Sequence, residues 1–193
     1  MPRLTETVDQ HPDEIQAWCC YRNIPPVGKG FMAWCGYLFG LAVRIFTGPY
    51  SHVGVRLNAG IWEAVGEGVV LNDIATWAER NVVVDAITIP LTPEQKADVV
   101  QYLNAKIGTP YDYPVNLKIA LAILGLPHAG IPDDLDKTLN CSGLEAHAFA
   151  HAGVNLAAMV KTGYPLWRFS PSDNWQLVKK GKAAYRGRVV FAT

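Results

Sequence analysis

The chain has 193 residues, half of them hydrophobic and 18% charged, with 17 Lys plus Arg set against 17 Asp plus Glu. A chain of this length buries one sizeable core, and nothing in its composition marks a break, so a single domain over 1–193 is expected, with 1–29 a leader of uncertain structure. With charge balanced and no basic stripe, nucleic acid is argued against as a partner.

The opening, MPRLTETVDQHPDEIQAW, is polar and carries no secretory signal. That suggests a cytoplasmic protein, or one released by lysis or with a phage particle. Cys19, Cys20, Cys35 and Cys141 match no zinc spacing and are expected as free thiols. Pro25, Pro26, Gly28 and Gly30 oppose helix, so the stretch around the paired cysteines and IPPVGKG is expected to be extended or irregular. FMAWCGYLFGLAVRIF at 31–46 is the most apolar run, yet only 13 residues precede Arg44 without a charge. A bilayer span needs about 20, so the expectation is a buried helix beneath the site and no integral membrane segment.

Thr47-Gly48-Pro49 stops that helix, and SHVGVRL, GIWEAV and GVVLND follow as an antiparallel meander with turns at Asn-Ala-Gly and Gly-Glu-Gly. Asn72-Asp73 can cap a short helix through Arg80, and VVVDAITIP at 82–90 reads as a strand. Thr92-Pro93-Glu94-Gln95 is a helix start that runs to about Lys106 and ends at Gly108. GTPYDYP is a loop, VNLKIALAIL a short helix and GLPHAGIPDDLDKTLN a long connection. NCSGLEAHAFAHAG begins a helix at or near Cys141 that closes at Gly153; FSPSDNWQLV gives a short late helix and GRVVFAT a final strand.

Three residues in this plan carry chemistry. With an Asn or the Cys itself at the cap, Cys141 lies in the first turn of a helix, where unpaired N–H groups and the dipole favour a thiolate. A free cysteine is also commonly a small buried hydrophobe, the reading given to Cys19, Cys20 and Cys35. A nucleophilic thiol needs a base and a group that orients the base. His52 opens one strand and Glu63 lies between Trp62 and Ala64 on the next, although a structural histidine and an outward-facing glutamate fit the same positions. Alternation places Gly54 on the His52 face, where its missing side chain would let the Cys141 helix approach, with Val53 and Val55 turned away. His147 and His151 lie some 240° and 280° round that helix from Cys141 at about 100° per residue, without an accompanying acidic motif, so no metal is expected there.

KIGTPYDY and NCSGLEAHAFAHAGVNL resemble the Gly-x-Pro-Tyr and Asp-Cys-Ser-Gly-Leu signatures of NlpC-like cell-wall peptidases. In ordinary members the His-Val-Gly strand follows the cysteine, whereas YSHVGV here precedes it. The order SHVGV, WEAVGEGV, PYDY, NCSGLEA and FSPSDNW resembles the circularly permuted, YiiX-like branch, with the lecithin:retinol acyltransferase family more distant. The resemblance covers roughly 35–178, and its specificity lies in the ordered set; the strand that often precedes the first helix is not evident.

This resemblance implies an α+β, permuted papain-like fold: an antiparallel sheet packed against helices, with the nucleophile at a helix N-terminus. It implies Cys141 as nucleophile, His52 as base, Glu63 as the third member, and Tyr111 and Ser142 on the substrate side, with the Cys141 N–H in the oxyanion hole. Tyr113 competes with Tyr111 for its role, and Asp112 is read as making a loop hydrogen bond. The reaction implied is thioester-mediated cleavage of an amide, with peptidoglycan stem peptides the leading substrate class and no metal or organic cofactor. Two alternatives are a lipid-directed acyltransferase or thioesterase and an inactive binding module. Oligomeric state is not legible.

Overall fold

The computed structural model describes residues 13–21, 48–79, 81, 83–123, 125–127 and 137–190. The proposed apolar helix at 31–46, Cys35, most of the leader and much of the connection before Cys141 lie outside them.

The described strands form one antiparallel sheet in the order β4-β3-β2-β1-β5-β6. Its centre is β1 (Gln16–Tyr21), between β2 (His52–Leu57) and β5 (Val83–Thr88). Part of the stretch read as an uncertain leader is therefore a central strand. From Gln16 to Cys20 every residue is buried, so the strand shows no alternation of apolar and polar residues to reveal it. Its one polar member there, Gln16, accepts hydrogen bonds from Trp18 Nε1 at 2.8 Å and Arg56 Nη1 at 3.2 Å.

The expected meander is present as β2, β3 (Gly60–Val65) and β4 (Gly68–Asp73), with left-handed Asn58 in its first turn at φ 53°. Asp73 caps α1 (Ile74–Ala78), accepting from Thr76 N. After β5, Thr92 and Gln95 form a full capping box on α2 (Pro93–Ala105), and Gly108 is left-handed beyond its end. The next helix, α3 (Tyr113–Ile123), starts two residues before its expected beginning. Asp112 accepts from Val115 N at 2.8 Å, and Pro114 is tolerated in a first turn, where no intrahelical N–H is needed. Then come α4 (Cys141–His151), α5 (Leu156–Val160), a 3-10 turn at Leu166–Arg168, α6 (Asp173–Lys179) and β6 (Ala184–Val190). The sequence reading had neither α5 nor the 3-10 turn, each too short for a helical period to show.

The sheet buries both faces. On one, Trp18, Cys20, Ile61, Val84, Ala86 and Val189 pack with Trp77 of α1. On the other, Val55, Trp62, Ala64 and Val69 pack with Val99 and Leu103 of α2, Leu144, Ala148 and Phe149 of α4, and Leu177 of α6. Ala17, Cys19, Val53 and Ile87 continue this face to the start of α4, where they meet Cys141. Each fully buried Val, Leu, Ile or Phe side chain among these contributes roughly 1.5–3 kcal/mol, which seats α4 firmly on the strand that carries His52.

That packing overturns the expected role of Gly54. Helix α4 covers the Val53 and Val55 face, while a Cβ at Gly54 would lie 2.6 Å from Ile61 Cγ2 and 3.2 Å from Trp77 Nε1. Alternation along β2 was readable from sequence, but which helix covers which face is decided by contacts distant along the chain.

Candidate active site

The site is assembled at the ends of elements. Asn140 caps α4: its Oδ1 accepts from Gly143 N at 2.6 Å and its backbone carbonyl from Leu144 N at 2.9 Å. Of the two caps open from sequence, Asn140 is the one used, and Cys141 is the first residue of the helix proper. Its N–H and that of Ser142 lie ahead of the intrahelical ladder. Cys141 is a free thiol and 7% exposed.

His52 is the first residue of β2, and pairing with Cys20 fixes its backbone. The residues just before it are held by the FSPSD segment: Tyr50 N donates to Ser172 Oγ at 3.3 Å, and Ser172 Oγ to Tyr50 O at 3.4 Å. Asp173 secures that segment in turn by accepting from Ser170 N and Oγ. The imidazole hydrogen-bonds Glu63, and Cys141 is near enough to act on its protonation. Nε2 lies 2.7 Å from Glu63 Oε2, which leaves Nδ1 for the sulfur. An ionised carboxylate only accepts, so Nε2 carries a proton toward Glu63 in either the neutral or the charged imidazole.

Glu63 is completely buried, and its other oxygen accepts from Asn72 Nδ2 at 2.7 Å. Asn72, on β4, is read from sequence only as a helix-cap candidate beside Asp73; Asp73 is the cap, and Asn72 supports Glu63 instead. Burial is the largest influence on His52 and lowers its pKa, but the hydrogen bonds to Cys141 and Glu63 and the charges of both outweigh it. The pKa is raised from 6.5 to about 9. The arrangement therefore favours an imidazolium between two potential anions.

Tyr111 is brought to the start of α4 by backbone pairing. Asp112 N donates to Leu139 O at 3.2 Å and Leu139 N to Pro110 O at 3.0 Å, making a parallel bridge between Tyr111 and Leu139. Asp112 adds a side-chain tie from Thr138 Oγ1 at 2.8 Å, in keeping with the loop role read for it. Tyr111 Oη accepts from Asn116 Nδ2 at 3.0 Å, and Asn116 Oδ1 accepts from Asn140 Nδ2 at 3.0 Å. Tyr113 stacks edge-on against Tyr111 but is 61% exposed. Ser142 is buried, so its side chain is held within the α4 packing.

Among the described residues, Cys19, Cys20 and His151 have other surroundings. Cys19 bonds Pro171 O, and burial pushes its thiol well above the ordinary range; Cys20 bonds Asn81 Oδ1 at 3.1 Å. The His151 ring packs against Tyr102 with centroids 5.4 Å apart. Among the described residues no group of three or more His, Cys, Asp or Glu is placed to hold a metal ion, and no helix is long and apolar enough to cross a membrane.

Comparison with models of known protein families finds no match, and neither does comparison with curated proteins. A thiol at a helix N-terminus, a buried imidazole whose protonation it favours, and a buried carboxylate bonded to that imidazole are the groups that a nucleophile, base and orienting residue require.

Proposed function

We propose that this chain is a cysteine hydrolase with a permuted papain-like arrangement, cleaving an amide bond through a thioester on Cys141. The observation that carries the reading is the buried group Cys141, His52 and Glu63, with His52 hydrogen-bonded to Glu63 and its protonation favoured by both neighbours. A structural histidine does not need a thiol at a helix start on one nitrogen and a fully buried glutamate on the other.

In the proposed cycle the Cys141 thiolate attacks the carbonyl carbon, and the developing oxyanion takes the Cys141 N–H. As the tetrahedral intermediate collapses, the C–N bond breaks and His52 Nδ1 gives its proton to the departing amine. Now neutral, the imidazole takes a proton from water, whose oxygen attacks the thioester. The C–S bond breaks, the carboxylic acid leaves, and thiolate and imidazolium return. Glu63 holds Nε2–H throughout, so that Nδ1 stays on the sulfur side. The resemblance of the ordered motifs to NlpC-like enzymes makes peptidoglycan stem peptides the proposed substrate class.

Turnover of peptidoglycan fragments tests this. Cys141→Ala and Cys141→Ser should each lower the rate by at least about 10³-fold with the fold intact. Retention of most activity by Cys141→Ala excludes the thioester route.

A further inference from the structure

Glu145 lies one turn beyond Cys141 on α4, and Asn174 is the second residue of α6; both side chains are completely buried. Asn174 Nδ2 donates to Glu145 Oε2 at 2.9 Å and, over a longer contact, to Pro171 O at 3.5 Å. Because a backbone carbonyl only accepts, turning the amide over would set its oxygen against Pro171 O, so this orientation is the favourable one. Both protons of Nδ2 are thereby used. Glu145 Oε1 and Asn174 Oδ1 remain, buried and with no hydrogen-bond partner among the described residues. A carboxylate oxygen and an amide oxygen both accept, so while Glu145 is ionised neither can satisfy the other. One proton on Oε1 satisfies both.

We infer that Glu145 is a positioning residue held as a neutral carboxylic acid, its Oε1 proton donated to Asn174 Oδ1, which closes an acid–amide ring between the Cys141 helix and the segment behind His52. The ring follows from the donors and acceptors themselves; its effect on catalysis rests on the hydrolase reading above. Its surroundings keep the proton in place. Burial acts most strongly on the carboxyl, the bond from Asn174 opposes it, and the charge of Asp173 on α6 adds to it, so that the pKa is raised from 4.5 to about 8. Cys19, on β1, also feels Glu145 and is kept a neutral thiol, its proton directed to Pro171 O at 3.6 Å. The ring reaches the site from two sides. Glu145 shares a helix face with Cys141. Two residues before Asn174, Ser172 Oγ accepts from Tyr50 N at 3.3 Å and donates to Tyr50 O at 3.4 Å, two residues before His52. Closing the ring therefore sets the spacing of the thiol and the imidazole.

Two measurements on the full chain test this. Infrared difference spectra of the parent against Glu145→Gln, taken at about pH 6, between the ordinary and the raised pKa, should show the carbonyl stretch of one protonated carboxyl that the variant lacks. In Asn174→Leu that band should move to higher frequency, because the acid has lost its acceptor. Spectra without the band, or a band indifferent to Asn174→Leu, overturn the inference; should Asn174→Leu fail to fold, the first comparison decides alone. The second measurement is acylation of Cys141 by p-nitrophenyl acetate. Glu145→Leu is expected to slow it by at least about tenfold, as a small misplacement of reacting groups does. Glu145→Gln, whose amide can donate to Asn174 Oδ1 and accept from Nδ2, should recover most of that loss. The ratio of the Glu145→Gln rate to the parent rate should then rise about tenfold between about pH 7 and 9, as the parent's carboxyl loses its proton and the ring opens. Equal losses in the Leu and Gln variants, or a ratio that stays flat with pH, overturn the positioning role. Failure of the hydrolase reading is distinguishable: acylation of Cys141 in the unaltered protein would be indifferent to His52→Ala, which overturns the positioning role as well but leaves the infrared band as it was.

Discussion

Replacing Glu145 with Gln should stabilise the protein, and increasingly so as pH rises. Glu145 is fully buried on α4, one turn below Cys141, where Asn174 Nδ2 donates to Oε2 at 2.9 Å. Oε1 and Asn174 Oδ1 are both buried without a hydrogen-bond partner among the described residues. Burial raises the carboxyl pKa; the Asn174 bond lowers it and the Asp173 charge raises it further, leaving it at about 8 against an ordinary 4.5. The folded carboxyl therefore stays protonated where the unfolded one has ionised. Below pH 4.5 both states carry the proton and the group has no effect. Between 4.5 and 8 folding must take up a proton, and stability falls as pH rises; above 8 the penalty is constant. At roughly 1.4 kcal/mol per tenfold in proton affinity, the full penalty is on the order of 5 kcal/mol. Glu145→Gln keeps an oxygen for Asn174 and removes the titration. Urea unfolding at pH 5, 7 and 9 should show a stability difference, variant over parent, that is small at pH 5 and several kcal/mol at pH 9. A difference that stays flat across this range refutes the reasoning.

Glu63→Gln should slow turnover less than His52→Ala, because an acceptor for the imidazole survives in the first and the base is deleted in the second; kcat/KM for both variants decides it, and equal losses contradict the assigned roles. A Cβ at Gly143 would stand 2.4 Å from Asn140 Oδ1, so Gly143→Ala should displace the cap, lower stability by about 0.5–2 kcal/mol and reduce activity; thermal unfolding and a rate assay check this. His52 has a folded pKa above its unfolded value, so its stabilising contribution is complete below about 6.5 and is lost as pH rises through about 9. An NMR titration should place the imidazole midpoint near 9, with activity falling on the same alkaline limb; a midpoint near 6.5 means that the ion-pair partners do not hold the proton.

What was legible in the sequence is what local chemistry encodes. Thr92 with Gln95, Asp73 before a short helix, and Asn140 before Cys141 announce helix starts because each satisfies N–H groups only a few residues away. Cys141, His52 and Glu63 were recognisable as residue types in suitable elements, and a hydrogen bond joins the last two. Their meeting was not derivable from strand register: β2 pairs with β3 from Val55–Trp62 to Leu57–Gly60, while His52 and Glu63 lie outside those pairs. β1 escaped because a strand buried on both faces has no alternation. The Asn116–Asn140 link escaped for a different reason: it spans 24 residues and exists only because Tyr111 and Leu139 are bridged beside it. The position of α4 over Val53 and Val55 is likewise a choice made by the assembled core.

The central claim is that His52 and Glu63 make Cys141 a hydrolytic nucleophile, and mass spectrometry of the protein after brief exposure to an activated acyl ester tests it most directly. The expected result is one acyl group, mapped to Cys141, that disappears with time in the parent protein and fails to form in His52→Ala. Labelling spread evenly over the accessible cysteines, or labelling of Cys141 that is unchanged without His52, contradicts it.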